Sequence, residues 1–249
     1  GGRCFSKCAR YWSRVELAHL LGISIHQPRE GLTLLGLAGA KGLGPEVLQS
    51  YGVTEGVTGT GRNRVPCVDI PYPDQHGEVV AVRKRLSLDG IPRFSWRRGA
   101  HPTLYGLQHL EEIRRVGWAI LVEGESDSWT LWHQRIPALG VPGASMWRSN
   151  FGTLLGGLTI FLWCEPDQGG DTLIKAVVAD IPEVRIIDAP SGVKDPSELY
   201  LQAPDLFKER MNELAKAAKP ASEMTAEAHS AEARECLEEA KGLLERPNI

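Results

Sequence analysis

Long apolar runs are missing from this 249-residue chain, and so is a large excess of charge of either sign. No segment stays apolar over the roughly 20 residues that a membrane-spanning helix needs, so no membrane span is expected. The Gly1-Gly2-Arg3-Cys4 start has neither Met nor an apolar signal core. The expectation is therefore a fragment of a longer chain in the cytoplasm. A formal charge of −3 is not that of a polycation, so any basic surface has to be local. The five cysteines are an odd number, and no disulfide framework is expected. Cys67, Cys164 and Cys236 stand alone and read as small buried hydrophobes. Cys4-Phe5-Ser6-Lys7-Cys8 has the spacing of one zinc knuckle, but no second ligand pair follows. Cys4 and Cys8 are half a site, and zinc is not expected to be held here. There is no Gly-x-x-x-x-Gly-Lys-Ser/Thr, which argues against a P-loop ATPase. Gly124-Glu125-Ser126-Asp127-Ser128 begins like a nucleophile elbow but lacks its closing glycine, so a serine hydrolase is not supported. No internal repeat stands out.

What the chain does have is acids at the ends of strand-like runs. Trp118–Val122 runs into Glu123-Gly124-Glu125-Ser126-Asp127, and Leu158–Cys164 runs into Glu165-Pro166-Asp167-Gln168-Gly169-Gly170. Val184–Asp188 is followed by Lys194-Asp195-Pro196-Ser197-Glu198. In a parallel sheet the strand C-termini gather along one edge, so these acids would crowd together. Crowded carboxylates repel unless a cation joins them. Oxygen ligands without a His or Cys set point to a hard ion, Mg²⁺ or Mn²⁺. Taken singly, each motif also reads blandly: Ser126 and Asp127 as a helix start, Glu165-Pro166-Asp167 as a solvated loop.

The rest of the pattern supplies the frame. Arg14–Gly22 reads as a short helix, and Pro45–Ser50 as another with Pro in its first turn. The Gly- and Thr-rich stretch from Thr54 to Arg64 reads as loop. Val65–Pro71 and Val79–Leu86 read as strands joined by the turn residues Asp74-Gln75-His76-Gly77. Leu107–Arg115 reads as helix. From Trp118 onward strands alternate with helices, which predicts an α/β domain with a parallel or mostly parallel sheet. Residues 208–246 are rich in Ala, Glu and Lys and are expected to form exposed or partner-dependent helices. Positive charge collects at Arg83, Arg85, Arg93, Arg97 and Arg98, interleaved with Phe94 and Trp96. Arginines hold phosphates and aromatics stack bases of a single strand, so this segment is a candidate nucleic-acid track. The bland alternative is a hairpin with its aromatics in the core. Lys41, Arg62 and Arg64 are weaker candidates for the same role.

Together the motifs Val122-Glu123-Gly124-Glu125-Ser126-Asp127, Glu165-Pro166-Asp167-Gln168-Gly169-Gly170 and Lys194-Asp195-Pro196-Ser197-Glu198-Leu199 resemble the TOPRIM domain of bacterial-type primases, topoisomerases and some nucleases. The stretches Ile70–Asp74, Val82-Arg83 and Leu104-Tyr105-Gly106-Leu107 resemble the lead-in of the primase catalytic core, and Leu37–Gly52 its helical start. The resemblance covers about residues 1–203 and is similar to primase–helicase proteins of phages and mobile elements. It implies a remnant of a zinc ribbon and a helix over 1–30, an α+β primase subdomain over 31–117, a TOPRIM catalytic domain over 118–203 and a helical C-terminal linker over 204–249. It implies Glu123 and Asp127 as catalytic acids. Metal would be held by Glu123, Glu165, Asp167 and Asp195. Nucleic acid or nucleotide would be contacted by Arg83, Arg85, Arg93, Trp96, Arg97, Arg98 and Lys194. One departure from the family pattern is Glu165, where an aspartate is usual, followed by Pro166. The implied activity is template-directed primer synthesis on single-stranded DNA from nucleoside triphosphates, with Mg²⁺ or Mn²⁺. A replicative helicase reached through the C-terminal helices is the implied protein partner. The alternatives are a metal-dependent TOPRIM nuclease and a non-catalytic nucleic-acid-binding module.

Overall fold

In a computed structural model the described residues are 31–223, Arg98 excepted, with the short segments 2–3, 11–12 and Leu21. The expected Arg14–Gly22 helix, the Cys4/Cys8 pair, Arg98 and the chain beyond Glu223 lie outside the described residues. Gly2–Arg3 (β1) and Tyr11–Trp12 (β2) pair antiparallel. Helix α1, Leu34–Ala40, starts at Thr33, whose Oγ1 accepts a bond from Gly36 N at 3.1 Å. Helix α2, Pro45–Ser50, follows with its proline in the first turn, as expected.

An antiparallel meander comes next, β3 (Thr54–Thr58), β4 (Val65–Pro73), β5 (Val79–Arg85) and β6 (Phe94–Trp96), in that spatial order. The Asp74–Gly77 turn forms as the sequence predicts, with Asp74 Oδ1 accepting bonds from His76 N at 2.8 Å and Glu78 N at 3.0 Å. The reading of Thr54–Arg64 as loop is corrected at its start. β3 pairs with β4 from Thr54↔Asp69 to Thr58↔Val65. Its side chains are mostly exposed, so its hydrogen bonds come from a partner distant in sequence and no apolar alternation marks it.

Residues 107–116 then turn through one tight 3₁₀ turn into α3, Leu110–Val116. The second sheet has strands β7 (Trp118–Glu123), β8 (Ala138–Val141), β9 (Thr159–Cys164), β10 (Arg185–Asp188) and β11 (Lys219–Pro220) in the order β11-β10-β9-β7-β8. β10, β9, β7 and β8 are mutually parallel, and β11 closes one edge antiparallel to β10. At the other edge Tyr105 forms a single antiparallel bridge to Gly140, with N···O distances of 2.7 and 2.9 Å. The helices are α4 (Glu125–His133), α5 (Ser149–Leu154), α6 (Gln168–Asp180), α7 (Pro196–Gln202) and α8 (Phe207–Ala217). The expected α/β fold, a mostly parallel sheet behind a smaller α+β unit, is observed.

Both faces of this sheet are buried, which is why its strands read as continuous apolar runs. Along β7, Ala119 and Leu121 enter one core with Leu162, Leu173 and Val177. Ile120 and Val122 enter the other, with Trp129, Trp163 and Phe207. That second core runs on without a break into Leu37, Val68, Ile70 and Tyr72 of the N-terminal unit. Shared apolar packing therefore joins the two sheets. The expectation of exposed or partner-dependent helices over 208–246 is corrected at its start, where α8 buries Met211 in the core together with the preceding Phe207. Among the described residues, no helix is long and apolar enough to cross a membrane.

Candidate active site

The parallel strands end in acids on one side of the sheet. Glu123 is the last residue of β7, and Gly124 follows at φ 113° and ψ 179°. L-residues avoid that region, so only glycine makes this turn without strain. The turn sends the next carboxylate the other way. Glu125 is buried and its Oε1 accepts bonds from Arg83 Nη1 at 2.8 Å and from the Tyr72 hydroxyl. Arg83 in turn lies under the Phe94 ring, 3.8 Å from its centroid.

Asp127, in the first turn of α4, is only 3% exposed. Its Oδ1 accepts from Ser197 N at 3.1 Å and Ser197 Oγ at 2.9 Å, which ties α4 to the start of α7. Burial pushes its carboxyl up to about 8, the nearby Asp195 adds to this, and Lys41 at the end of α1 opposes it.

At the end of β9, Glu165 and Asp167 converge on one cation. Lys194 Nζ stands 3.1 Å from Glu165 Oε2 and 2.8 Å from Asp167 Oδ2. The other Asp167 oxygen caps α6, accepting from Gly169 N at 2.9 Å and Gly170 N at 3.1 Å. Those bonds, the Lys194 contact first, hold the Asp167 carboxyl below its usual range. Glu165 is buried, and burial pushes its carboxyl up to about 7, with Glu123 and Asp195 adding to the rise against the opposing Lys194. Lys194 is held above the ordinary lysine range by the two acids, Asp167 first. Gly170 is needed here because a Cβ on it would meet the Glu165 carbonyl oxygen at 2.1 Å. Asp195 caps α7 by accepting from Glu198 N at 2.7 Å, while Glu198 Oε2 accepts from Lys194 N at 2.6 Å.

The donor set suits a hard dication. It is all oxygen, and Glu165 and Asp167 already cradle one positive charge between them. Glu123 reaches the same loop, its Oε2 lying 3.4 Å from where a Cβ on Gly169 would stand. Among the described residues no group of three His, Cys, Asp or Glu side chains is drawn together as a ready metal cage. Movement of the Lys194 ammonium away from the pair is what would open the place.

Comparison with known proteins fits this geometry. No protein-family profile matches the chain. Gene 57 protein of Mycobacterium phage D29 is 34% identical over 150 residues, which is 58% of this chain and 97% of the phage protein. The chain belongs to the family of that phage protein. Among solved structures, the RNA polymerase domain of Mycobacterium tuberculosis primase DnaG superposes with a TM-score of 0.64 at 14% identity, covering 85% of each chain. The zinc-binding and RNA polymerase domains of Aquifex aeolicus primase give 0.63 at 18% identity, over 90% of this chain and 70% of that one. A DnaG catalytic domain bound to single-stranded DNA gives 0.60 at 17% identity, over 74% of this chain and 71% of that one. This member of the phage family therefore has the fold of a bacterial-type primase catalytic core, with a TOPRIM-like sheet.

Glu123 ends β7, Glu165 and Asp167 follow β9, and Asp195 lies in the loop after β10; of these, Glu165 and Asp167 meet at Lys194. The basic segment divides. Arg93 and Arg97 flank β6 and are exposed. Arg83, expected on the nucleic-acid track, instead forms a nearly buried ion pair with Glu125, because the fold places β5 against the β7–α4 turn. Arg85 turns back onto its own loop, donating from Nε to Ser87 O at 2.7 Å and from Nη2 to Leu88 O at 2.9 Å. Trp96 packs edge-on against Tyr72, ring centroids 5.0 Å apart, so it is half-buried rather than free to stack. Lys194 is engaged by carboxylates rather than standing free. The sequence reading missed Tyr72, Glu125 and Ser197. Of the three, Glu125 alone carried such a signal, a second acid placed just after an apolar strand and its glycine.

Proposed function

We propose that this chain is a DNA primase core: a metal-dependent nucleotidyltransferase that makes primers on single-stranded DNA. The observation that carries the reading is the set of acids from β7, β9 and the loop after β10, gathered at one edge of a primase-core fold. The reaction transfers a nucleoside monophosphate from a triphosphate to a 3′-hydroxyl and releases pyrophosphate. Glu123, Glu165 and Asp167 would hold Mg²⁺ or Mn²⁺, with Asp195 beside them. When bound, such an ion neutralises charge on the triphosphate and favours ionisation of the attacking hydroxyl. The chain's own residues do the remaining work. Lys194, released from its acids, offers an ammonium to a phosphate oxygen. Gly124 and Gly170 keep the two acidic turns tight. Exposed Arg93 and Arg97 give the template phosphates a positive rim beside β6.

The test is primer synthesis on single-stranded DNA with all four nucleoside triphosphates and Mg²⁺ or Mn²⁺ varied. Polymerisation supports the reading. Metal-dependent cutting without nucleotides would make the chain a nuclease, and DNA binding with neither activity would make it a binding module.

A further inference from the structure

Glu125 is absent from the acid cluster and yet follows Glu123 by two residues. We propose that it is a positioning residue for Glu123: the Arg83–Glu125–Tyr72 contact clamps the β7–α4 turn from the antiparallel sheet and sets where the Glu123 carboxylate stands. The inference deepens the primase reading and rests on it.

Only Gly124 separates the two acids, at φ 113°. β7 fixes the chain before Gly124 and the clamp on Glu125 fixes it after, so together they set the backbone from which the Glu123 side chain leaves. Glu125 itself has little freedom, being 3% exposed with Arg83 Nη1 at 2.8 Å and the Tyr72 hydroxyl on the same oxygen. The clamp is rigid at its far end as well. Arg83 lies 3.8 Å from the Phe94 centroid and 5.1 Å from the Trp96 centroid. Tyr72 packs against Trp96 at 5.0 Å and Tyr105 at 4.9 Å. At the near end the Glu123 side chain reaches the neighbouring acidic turn, its Oε2 3.4 Å from where a Cβ on Gly169 would stand.

A buried ion pair is a poor way to gain stability, since an apolar replacement of similar volume often does as well or better. This pair is not even fully satisfied, for Arg83 Nε is buried without a hydrogen-bond partner. Its placement beside the acid turn, across the junction of the two sheets, accounts for it better than stability does.

The test compares the parent with Glu125→Gln, Tyr72→Phe, Arg83→Lys and Arg83→Met. Three quantities are measured: primer synthesis, Mn²⁺ affinity by titration calorimetry, and melting temperature. For Glu125→Gln the expected result is a fall in kcat of about ten- to a hundredfold with the nucleotide KM within about twofold. Mn²⁺ affinity should fall roughly tenfold, as it does when a group that orients a metal ligand is removed. Tyr72→Phe, which keeps the ring packing, should move both in the same direction by less. Arg83→Lys should recover part of what Arg83→Met loses, because the charge remains while the planar fork does not. If the folded fraction of each variant keeps the parent's kcat and Mn²⁺ affinity, and only the melting temperature drops, the proposal is overturned and the primase reading is untouched. If the parent makes no primers while Mn²⁺ binding weakens in Glu125→Gln, the positioning role stands and the primase reading falls.

Discussion

Replacing Asp127 by Asn should stabilise the protein at neutral pH. Asp127 is 3% exposed, and its carboxyl is pushed from the usual 3.8 up to about 8, by burial first and then by Asp195. An acid raised on folding gives its full stability below its unfolded value and loses it as pH climbs toward the folded value. The window is thus between about pH 4 and pH 8, within which the parent should lose stability with rising pH on account of this group. At pH 7 the solution stands about three pH units above the unfolded value, and at 1.4 kcal/mol per unit the penalty is about 4 kcal/mol. Asn keeps the oxygen that accepts from Ser197 N and Ser197 Oγ. The folded carboxyl is protonated at pH 7, so no ionised acceptor is lost, but burying the amide NH2 in its place costs roughly 1–2 kcal/mol, leaving a net gain of about 2 kcal/mol. Urea unfolding of parent and Asp127→Asn from pH 5 to pH 9 checks this. The two curves should converge near pH 5 and separate as pH rises. Parallel curves, or a variant weaker than the parent throughout, would refute the assignment of a protonated, buried Asp127.

Glu165→Gln keeps the size of the side chain but removes one of the two charges that hold Lys194. Metal-dependent activity should fall severely while the fold survives, and a Mg²⁺ titration matching the parent's would leave Asp167 as the sole ligand from that loop. Arg93→Ala with Arg97→Ala should flatten the salt dependence of single-stranded DNA binding by a slope of about 1.4, two phosphate contacts at about 0.7 each. An unchanged slope would mean that neither arginine meets a phosphate. Phe207→Ala should cost about 3–5 kcal/mol in chemical denaturation, since Phe207 is fully buried. A cost below about 1 kcal/mol, the level of an exposed site, would show that α8 is not part of the core.

The sequence was most legible where local pattern and burial agree. β7 and β9 are buried on both faces, so their apolar runs stand out and the acids that end them are conspicuous. Glu165 and Asp167, two apart, do meet at one point, the Lys194 ammonium. What stayed hidden depends on distant partners. β3 is a strand because β4 supplies its hydrogen bonds, not because its own residues alternate. α8 carries an apolar stripe of Phe207, Met211 and Leu214 at helical spacing, but reading it together with the polar residues after it diluted the signal. Arg83 looked like a phosphate ligand because charge is visible in sequence and its partner, 42 residues away, is not. The two acids that hold Lys194 were hidden for the same reason, since its seat between them exists only once β9 and the loop after β10 lie side by side.

The way the larger sheet ends has a consequence for self-association. An open strand edge is a template for pairing with another molecule, and this sheet offers little of one. β8 is four residues long, and the backbone of Gly140 at its outer side is already spent on Tyr105. At the opposite side β11 is two residues long and consists of a lysine and a proline, the second of which has no amide hydrogen to donate. The segment that joins the two sheets therefore also serves as a stopper. A cut between Ala100 and Leu107 that released Tyr105 would bare the β8 edge, and the protein would be expected to aggregate before it unfolds.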